Sequence, residues 1–397
     1  MTLNQMQQVL GLSQVPACFD DFYAQIADSW ETHAARILSE SYISKTLTAS
    51  YALASYRDTV LKAAAQVRQS KAMCLLVCLL EQWVRQDGNP NAPDYQPPAG
   101  EGLAYDFLHL FPAIPTMAES VAHLRGRGVP EEVIAATLGE YDFCVNMCAS
   151  RMGRPAFDRG RLNWITRVIH NRLIRIGRFK YDLPAPYLQG VRVYRNRAGQ
   201  VAVLAHDVWV HRSGRLLGSV GHTDKEGSYQ AKIQETEDAF TGHRAAGPLV
   251  EPTLTVLPKT EWTLCLSETD AVPRIHIPSD GSFDRDTVEA SYRQAREIFD
   301  LCYPDYPYKA FFCSSWLMSP ELRQLLKPSS NILAFQDGFT QIPWQSSGRL
   351  VFSFVFGMDA AIPENLDALP ENTSLQRAVK ALYRKGGYVH EGAGFFF

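Results

Sequence analysis

Apolar side chains in the first 150 residues recur every three or four positions, the spacing that places them on one face of a helix. The first such stripe consists of Phe19, Phe22, Ile26, Trp30, Ala34 and Ile37. Further helices are predicted over residues 50–68 and 72–84, and the second is apolar nearly all round, as in the centre of a bundle. Pro130 suits the first turn of another helix, over residues 131–151. Residues 87–102 are rich in proline and glycine and are interpreted as a surface loop.

The pattern changes near residue 153. An arginine-rich helix is predicted over residues 159–174, and the runs that follow have the short pattern of strands: RFKYDL, GVRVYRN, QVAVLAHDVWVH, TEWTLCLSE, PRIHIP and YKAFFCSSWLM. Ala198-Gly199 predicts a hairpin turn, whereas residues 218–252 stay unassigned. The tail is interpreted as a strand LVFSFVFG, a helix SLQRAVKALYRK and a final strand-like GYVHEGAGFFF.

These elements predict an α+β protein. Residues 1–153 form a helical N-terminal domain in this prediction. Residues 154–397 form a second domain, built on a mixed, largely antiparallel sheet flanked by helices. A length of 397 residues is enough for two domains, each with its own core.

Composition limits the function classes. A formal net charge of −3 gives no polycationic character, so no nucleic-acid partner is predicted. The N-terminus MTLNQMQQVLGLSQ lacks the features of a signal peptide, and the longest apolar run, AMCLLVCLL, is too short to span a bilayer. We therefore expect a cytoplasmic protein without a membrane partner.

The eight cysteines are too sparse for a disulfide framework in a chain of this length. Cys74 and Cys78 are four residues apart, as are Cys144 and Cys148, so two helical faces could together offer four thiolates to a metal. Their apolar surroundings favour small buried side chains instead, and no metal is predicted.

His276 is the first candidate catalytic residue. It lies near the end of a predicted strand, where Pro278 ends the ladder. Imidazole titrates near neutrality, so a histidine beside a turn is suited to act as general base; the alternative is a core histidine that fixes the turn. Glu268 precedes it and could orient the imidazole or itself serve as base, although Glu-Thr-Asp-Ala is also good turn composition.

The next two candidates flank this strand. The turn Ser279-Asp280-Gly281-Ser282 precedes a helix, whose free N–H groups could hold a phosphate, but Ser282 or Asp284 could equally be an ordinary cap. Ser314 and Ser315 on the CSSW strand could act as nucleophiles beside a histidine, or hydrogen-bond a ligand.

Three further features admit two interpretations. In SNILAFQDGF, Asn331 could cap a helix, and Asp337 could pair with a substrate amine or with an arginine. Trp316 is interpreted as a core residue rather than a site residue. The arginines between residues 151 and 178 could attract an anion, or form a solvated helix face paired with acids.

Several of these segments together resemble a known family, the bacterial acyltransferases with a helical N-terminal domain and a GNAT-like C-terminal domain. They are GVPEEVIAATLGEYD, RLIRIGRFKYDLP, LPKTEWTLCL, IHIPSDG, FFCSSWLMSPELRQLL and SNILAFQDGF. The resemblance implies a GNAT-like fold, acyl-coenzyme A as co-substrate and a small-molecule amine as acceptor. For this reaction the candidates described above give His276, Ser314, Ser315 and Glu268 as the predicted catalytic residues, and Ser279, Gly281, Ser282 and Asn331 as the predicted cofactor-binding residues. The usual Gln/Arg-x-x-Gly-x-Gly/Ala signature of GNAT enzymes is absent from this chain, so a non-catalytic ligand-binding or assembly protein is the alternative.

Overall fold

The computed structural model describes residues 1–86, 95–183, 188–358 and 360–397. The chain divides into two compact units, Met1–Ile176 and Gly177–Phe397. The described elements of the first unit are α1 (Leu3–Leu10), α2 (Cys18–Ile26), α3 (Trp30–Ile37), α4 (Glu40–Ser50), α5 (Arg57–Val67), α6 (Lys71–Arg85), α7 (Leu103–Phe107), α8 (Ile114–Gly126), α9 (Glu131–Leu138), α10 (Glu140–Met152), α11 (Arg159–Ile169) and β1 (Leu173–Ile176). The predicted helical character of the N-terminal region is confirmed.

Helix α6 forms the centre of the first unit, as its apolar pattern predicts. Ser70 caps it by accepting a hydrogen bond from the backbone N–H of Met73, and nearly every later side chain is buried. Helices α1, α2, α3 and α11 pack against it. A helix that is apolar all round is stable only when it is surrounded in this way.

Three predicted helices of this unit differ from the observed ones. The first stripe is divided between α2 and α3, although all of its members except Ile26 are buried. The helix expected over residues 50–68 begins only at Arg57, because Tyr51 and Leu53 adopt left-handed backbone conformations that interrupt it. The helix expected over residues 131–151 is interrupted at Gly139, a residue with low helix propensity. The first part of the predicted proline-rich loop, residues 87–94, lies outside the described residues.

The second unit is built on strands. Its described elements are β2 (Phe179–Asp182), β3 (Val191–Asn196), β4 (Val201–Ala205), β5 (Val208–Val210), β6 (Tyr229–Ala231), β7 (Gln234–Glu235), β8 (Ala239–Ala246), β9 (Leu249–Pro258), β10 (Trp262–Leu266), β11 (Arg274–His276), α12 (Arg285–Cys302), β12 (Phe311–Ser315), α13 (Leu322–Leu325), α14 (Asn331–Asp337), β13 (Thr340–Ile342), α15 (Leu350–Phe356), α16 (Ser374–Arg384) and β14 (Gly392–Phe396). The segment left unassigned by sequence, residues 218–252, therefore contributes strands.

Two sheets form the frame of this unit. In the first, β2, β11, β12, β14 and β13 are neighbours in that order, and only the β11–β12 pair is parallel. In the second, β10, β3, β4, β8 and β7 are neighbours, with β9 paired to β8, and all pairs are antiparallel. The predicted mixed, largely antiparallel sheet and α+β class are confirmed. The hairpin at Ala198-Gly199 joins β3 and β4, and Gly199 has the positive φ of +80° that this turn requires.

The two faces of the first sheet have different neighbours. One face packs on α12 through aromatic contacts that include Tyr181, Phe299 and Phe311. The other face contributes Phe312 and Phe395 to a core shared with Val193 of the second sheet. Side chains alternate along each strand, so residues two apart from Phe312 lie on this second face as well.

The prediction of a strand for LVFSFVFG is wrong, because the segment forms helix α15. The carboxylate of Glu391 accepts hydrogen bonds from the backbone N–H groups of Gly348, Arg349 and Leu350, which are the groups that a helix start leaves unpaired. Gly357 ends the helix with a positive φ of +69°. A seven-residue apolar run is too short for its length or periodicity to distinguish a buried strand from a helix. The contact that determines the helix comes from a distant part of the chain.

The division between the units follows Ile176 rather than residue 153, because α11 packs against α6, α8 and α10 of the first unit. The independent folding of residues 1–153 and 154–397 stays a prediction. None of the described helices is long and apolar enough to cross a membrane.

Candidate functional site

The register of the first sheet places polar side chains together on one face. Arg274 lies opposite Asp182 on β2 and beside Phe312 on β12, and His276 lies opposite Lys180. Ser314, two residues beyond Phe312, is on the same face, and Arg274 donates a hydrogen bond to its Oγ over 2.6 Å. Lys180 and Asp182 are buried, which is unusual for charged side chains and is typical of a functional site or a buried ionic network.

A cavity of about 270 Å³ opens beside this polar face. Its lining includes Arg274, Ser314, Ser315, Trp344, Leu350 and Glu391. It therefore presents one guanidinium and several hydroxyl groups next to an indole ring and a leucine side chain. Such a mixture suits a small ligand that has a polar group and an apolar part.

Glu391 is the carboxylate of this cavity, and it is fully engaged. Besides the three N–H groups that precede and start α15, it accepts a hydrogen bond from the hydroxyl of Ser346. Burial raises the pKa of Glu391, but these hydrogen bonds outweigh burial and lower the pKa overall. Glu391 therefore stays ionised, and its first role is to fix the loop that forms one wall of the cavity.

His276 is close to this cavity without being part of its lining. Its Nε2 lies 3.5 Å from Oδ2 of Asp182, and the His276 side chain retains 20% exposure whereas that of Asp182 has 4%. A buried carboxylate beside an imidazole orients the ring and stabilises its protonated form, as in known acid–base sites. The structure thus pairs His276 with a carboxylate that sequence analysis did not single out.

Glu268 is held by an arginine. It forms a two-pronged ion pair with Arg192, with distances of 3.1 and 2.6 Å from the guanidinium nitrogens to the carboxylate oxygens. This hydrogen bonding from Arg192 lowers the pKa of Glu268 to about 2. A carboxylate with so low a pKa is a weak proton acceptor near neutrality, so the catalytic role predicted for Glu268 has no support in this geometry.

The turn before α12 has the geometry of an ordinary cap. Asp284 accepts hydrogen bonds from the backbone N–H of Thr287 over 2.9 Å and from its hydroxyl over 2.8 Å. Ser282 donates its hydroxyl to the same carboxylate, and these contacts hold the pKa of Asp284 below its usual range. Ser279, Gly281 and Ser282 are exposed. A carboxylate thus occupies the helix start where a pyrophosphate was predicted.

The residues of the last family segment have structural contacts. Ser330 caps α14, so Asn331 is the exposed first residue of the helix rather than its cap. Asp337 pairs with Arg323 over 2.5 Å. The amide of Gln336 donates to the carbonyl oxygens of Leu317 and Ser319 and thereby holds the chain that leaves β12.

The other candidates are structural as well. Trp316 stacks on Phe354 and packs on the apolar cluster around α15 and α16. Arg154 pairs with Asp106 over 3.0 Å, and Arg159 donates to the carbonyl oxygen of Tyr95, which fits the interpretation of a paired helix face. Cys74, Cys78, Cys144 and Cys148 are buried, and no cluster of metal-binding side chains occurs among the described residues.

Sequence analysis missed a group of three histidines in the second unit. The ring centroids of His211 and His222 are 5.1 Å apart, and those of His222 and His390 are 5.6 Å apart. Asp224 and Glu321 accept hydrogen bonds from this group, at His211 and His390 respectively. Residues 211–224 fell in or beside the unassigned segment, and His390 lies in the tail, so no local pattern connects them.

Comparison with known proteins agrees with the fold. The sequence model of the GNAT-like C-terminal domain matches residues 173–396, more than half of the chain. The chain belongs to this family. The N-acyltransferase N-terminal domain matches residues 45–171, so the family resemblance extends over both units. No curated protein sequence matches the chain at a significant level.

Solved structures of acyltransferases have the same fold over the full chain. One, in complex with decanoyl-CoA and teicoplanin, is 17% identical with a TM-score of 0.63, and the match covers 100% of this chain and 99% of the other. A mutant acyltransferase in complex with octanoyl-CoA is 18% identical with a TM-score of 0.61, at the same coverage. A third, with CoA and 10C-teicoplanin, is 17% identical with a TM-score of 0.63, also at the same coverage.

Proposed function

We propose that this protein transfers an acyl group from an acyl-coenzyme A to the amine of a small-molecule acceptor. The observation that carries the proposal is the match of both units, over the full chain, to an acyltransferase that holds decanoyl-CoA. Membership of a family named for N-acyl transfer supports the same reaction. Fold alone does not determine chemistry, so the proposal also needs a site that can perform it.

The reaction forms a C–N bond between the acceptor nitrogen and the thioester carbonyl carbon, and breaks the C–S bond of the thioester. The nitrogen must lose its protons, and the departing sulfur leaves as the free thiol of coenzyme A. His276, whose Nε2 lies 3.5 Å from Oδ2 of Asp182, is the proposed base. Ser314, Ser315 and Arg274 are the proposed ligand-positioning groups, because all three line the cavity.

The site for the coenzyme is less well supported. Ser279, Gly281, Ser282 and Asn331 stay the predicted contacts, but the carboxylate of Asp284 already accepts the backbone N–H of Thr287 at the start of α12. A pyrophosphate would meet like charge there. This observation favours the second candidate function, a non-catalytic protein of the same fold that binds a ligand.

A thiol-release assay tests the proposal. The protein is incubated with acetyl-CoA, octanoyl-CoA or decanoyl-CoA, with and without a panel of primary amines, and free thiol is measured. Amine-dependent thiol release together with an amide product detected by mass spectrometry would support acyl transfer. Binding of acyl-CoA in calorimetry without any release would favour the non-catalytic alternative.

A further inference from the structure

Four side chains of the second unit form a continuous hydrogen-bonded chain. Nε2 of His211 lies 3.0 Å from Oδ2 of Asp224, and Nδ1 of His211 lies 2.8 Å from Oγ of Ser213. The same Oγ lies 3.1 Å from Nδ1 of His222. His211 is buried, whereas Asp224 and Ser213 are exposed and His222 is half-buried, so a buried imidazole links polar groups that reach the surface.

The hydrogen bonds fix where each proton resides. The backbone N–H of Ser213 also points at Nδ1 of His211, over 3.1 Å, and an N–H group can only donate. Nδ1 of His211 therefore carries no proton, and its Nε2–H donates to Asp224. The hydroxyl of Ser213 must then donate to Nδ1 of His211, since a contact of 2.8 Å between two lone pairs would be repulsive.

The same reasoning determines the state of His222. Because the only hydroxyl proton of Ser213 is engaged with His211, Oγ accepts from its other neighbours, the backbone N–H of Arg215 and Nδ1 of His222. Nδ1 of His222 therefore carries the proton. In the neutral ring, Nε2 is left with a lone pair, which is the arrangement of a proton acceptor.

The surroundings of His222 favour the neutral ring. Burial and the neighbouring His390, Arg215 and His211 lower the pKa of His222, while Asp224 opposes them. His390 is itself fixed, because its two ring nitrogens face acceptors, an oxygen of Glu321 at 3.0 Å and the carbonyl oxygen of Val220 at 3.1 Å. The lone pair of His222 is thus present at neutral pH.

The loop that carries His222 borders the wall of the cavity. The backbone N–H of Val220, two residues before His222, donates to the carbonyl oxygen of Ser346 over 2.8 Å. Ser346 donates its hydroxyl to Glu391, which lines the cavity. Gln345, another lining residue, donates to the carbonyl oxygen of Leu217. The loop that carries His222 therefore packs on the loop that forms the cavity wall.

We propose that His222 accepts a proton from the acceptor amine, and that Ser213 and His211 form a relay that moves the positive charge to His211, beside the carboxylate of Asp224. The proposal rests on the proposed acyl transfer. Amines with pKa values near 8 to 10 arrive largely as ammonium ions at neutral pH, so two protons must leave the nitrogen before an amide results. The relay takes the first of these protons, before attack, and His276 is the proposed acceptor of the second.

The proton transfer is balanced without any further reactant. The ammonium proton moves to Nε2 of His222 while the proton on Nδ1 of His222 moves to Oγ of Ser213. The hydroxyl proton of Ser213 moves to Nδ1 of His211, which becomes an imidazolium paired with Asp224. The starting state returns when Nε2 of His222 releases its proton to solvent. The two relay protons then move back, from Nδ1 of His211 to Oγ of Ser213 and from Oγ of Ser213 to Nδ1 of His222.

The first test is the tautomer of each ring in the free protein, measured by long-range ¹H–¹⁵N NMR with His222→Gln and His211→Gln for assignment. We expect His211 protonated on Nε2 and neutral His222 protonated on Nδ1, whereas free imidazole side chains in water favour Nε2–H. Ser213→Ala should return His222 to the Nε2–H form. Neutral His222 already in the Nε2–H form in the unmodified protein would overturn the relay.

The second test is the pH dependence of acyl transfer. His222→Gln should lower the rate by about 10²–10⁴-fold near neutrality, the usual contribution of an acid–base group. The loss should diminish as the pH approaches the pKa of the acceptor amine, which then arrives unprotonated. His243→Gln, which removes a half-buried histidine of β8, is the matched control and should retain the unmodified profile. A His222→Gln protein with unchanged rates at every pH would contradict the proposal.

The two tests separate this inference from the proposed function. Absence of acyl-CoA binding in calorimetry would refute the proposed function, whereas the NMR tautomers are measured without substrate and decide the relay by themselves. If acyl transfer occurs and the tautomers are as expected, but His222→Gln has full activity, the relay exists and its role in the reaction is refuted.

Discussion

At the scale of single residues, His276 is the proposed base. Its ring is partly exposed, and its Nε2 lies 3.5 Å from the buried carboxylate of Asp182. We expect His276→Gln to lower turnover by roughly 10²–10⁴-fold, because glutamine keeps a hydrogen-bonding group but cannot accept a proton near neutrality. In contrast to His222→Gln, this loss should persist at high pH. Rates per folded molecule are obtained by combining the assay with a urea unfolding curve, and a variant that unfolds readily while retaining normal activity would make His276 structural.

Glu391 is the residue on which the cavity wall depends. Glu391→Gln removes the charge from a buried acceptor that holds Ser346 and the start of α15, so we expect a loss of about 1–3 kcal/mol in the free energy of unfolding. Glu297→Gln, on an exposed position of α12, is the matched control and should change stability little. Urea denaturation of both variants near neutrality measures the difference.

The pH dependence of the Glu391 contacts follows from the direction in which the pKa of Glu391 is shifted. The folded pKa of Glu391 lies below the ordinary value of 4.5, so ionised Glu391 stabilises the fold fully above that value. The contribution is lost as the pH falls from there through the lower folded pKa. The difference between the unmodified protein and Glu391→Gln should therefore shrink as the pH falls below 4.5, and a difference that grows with acid would contradict the assignment.

At the scale of elements, the segment of α15 allows the observed helix to be tested against the strand that its sequence suggests. In a strand, Phe352 and Phe354 would lie on the same face, since side chains alternate with a period of two. In the helix, Phe352 is fully buried whereas Phe354 is 59% exposed. We expect Phe352→Ala to cost about 3–5 kcal/mol and Phe354→Ala far less, as measured by chemical denaturation. Equal losses in the two variants would indicate a strand.

The elements that sequence analysis predicted well are those whose signal is local. Helix α6, the β3–β4 hairpin and strand β11 each contain a complete pattern or turn within a few residues. The errors arose where something other than the local hydrophobic pattern determines where a helix forms or begins. Glu391, more than forty residues away in sequence, accepts the backbone N–H of Leu350 at the start of α15. The left-handed backbone conformations of Tyr51 and Leu53 place the start of α5 later than the pattern predicts.

The candidate site was predictable only in part for the same reason. Ser314, Ser315 and His276 belong to recognisable segments, and the sheet register brings them to one region with Arg274. Asp182, Glu391 and the His211–His222–His390 group are brought there by tertiary structure alone, and nothing in their local sequence marks them.

At the scale of the whole molecule, the cysteines report on the integrity of both cores. Burial raises the pKa of Cys74 to about 11 and those of Cys78 and Cys313 to about 12. At about pH 8 we expect a thiol reagent to modify at most Cys18 and Cys265 rapidly in the folded protein, because the other cysteines are buried. All eight should react in denaturant. Rapid modification of Cys78 or Cys313 in the native protein would contradict the packing described for α6 or β12.

The central claim, that this chain uses an acyl-coenzyme A, is tested most directly by calorimetric titration with decanoyl-CoA, supported by the shift in melting temperature. A ligand that binds only the native state stabilises it by about 2.7 kcal/mol at a concentration a hundredfold above its Kd. The account predicts saturable binding and a raised melting temperature for at least one chain length between acetyl and decanoyl. No heat of binding and no thermal shift with any of these ligands at millimolar concentration would contradict it.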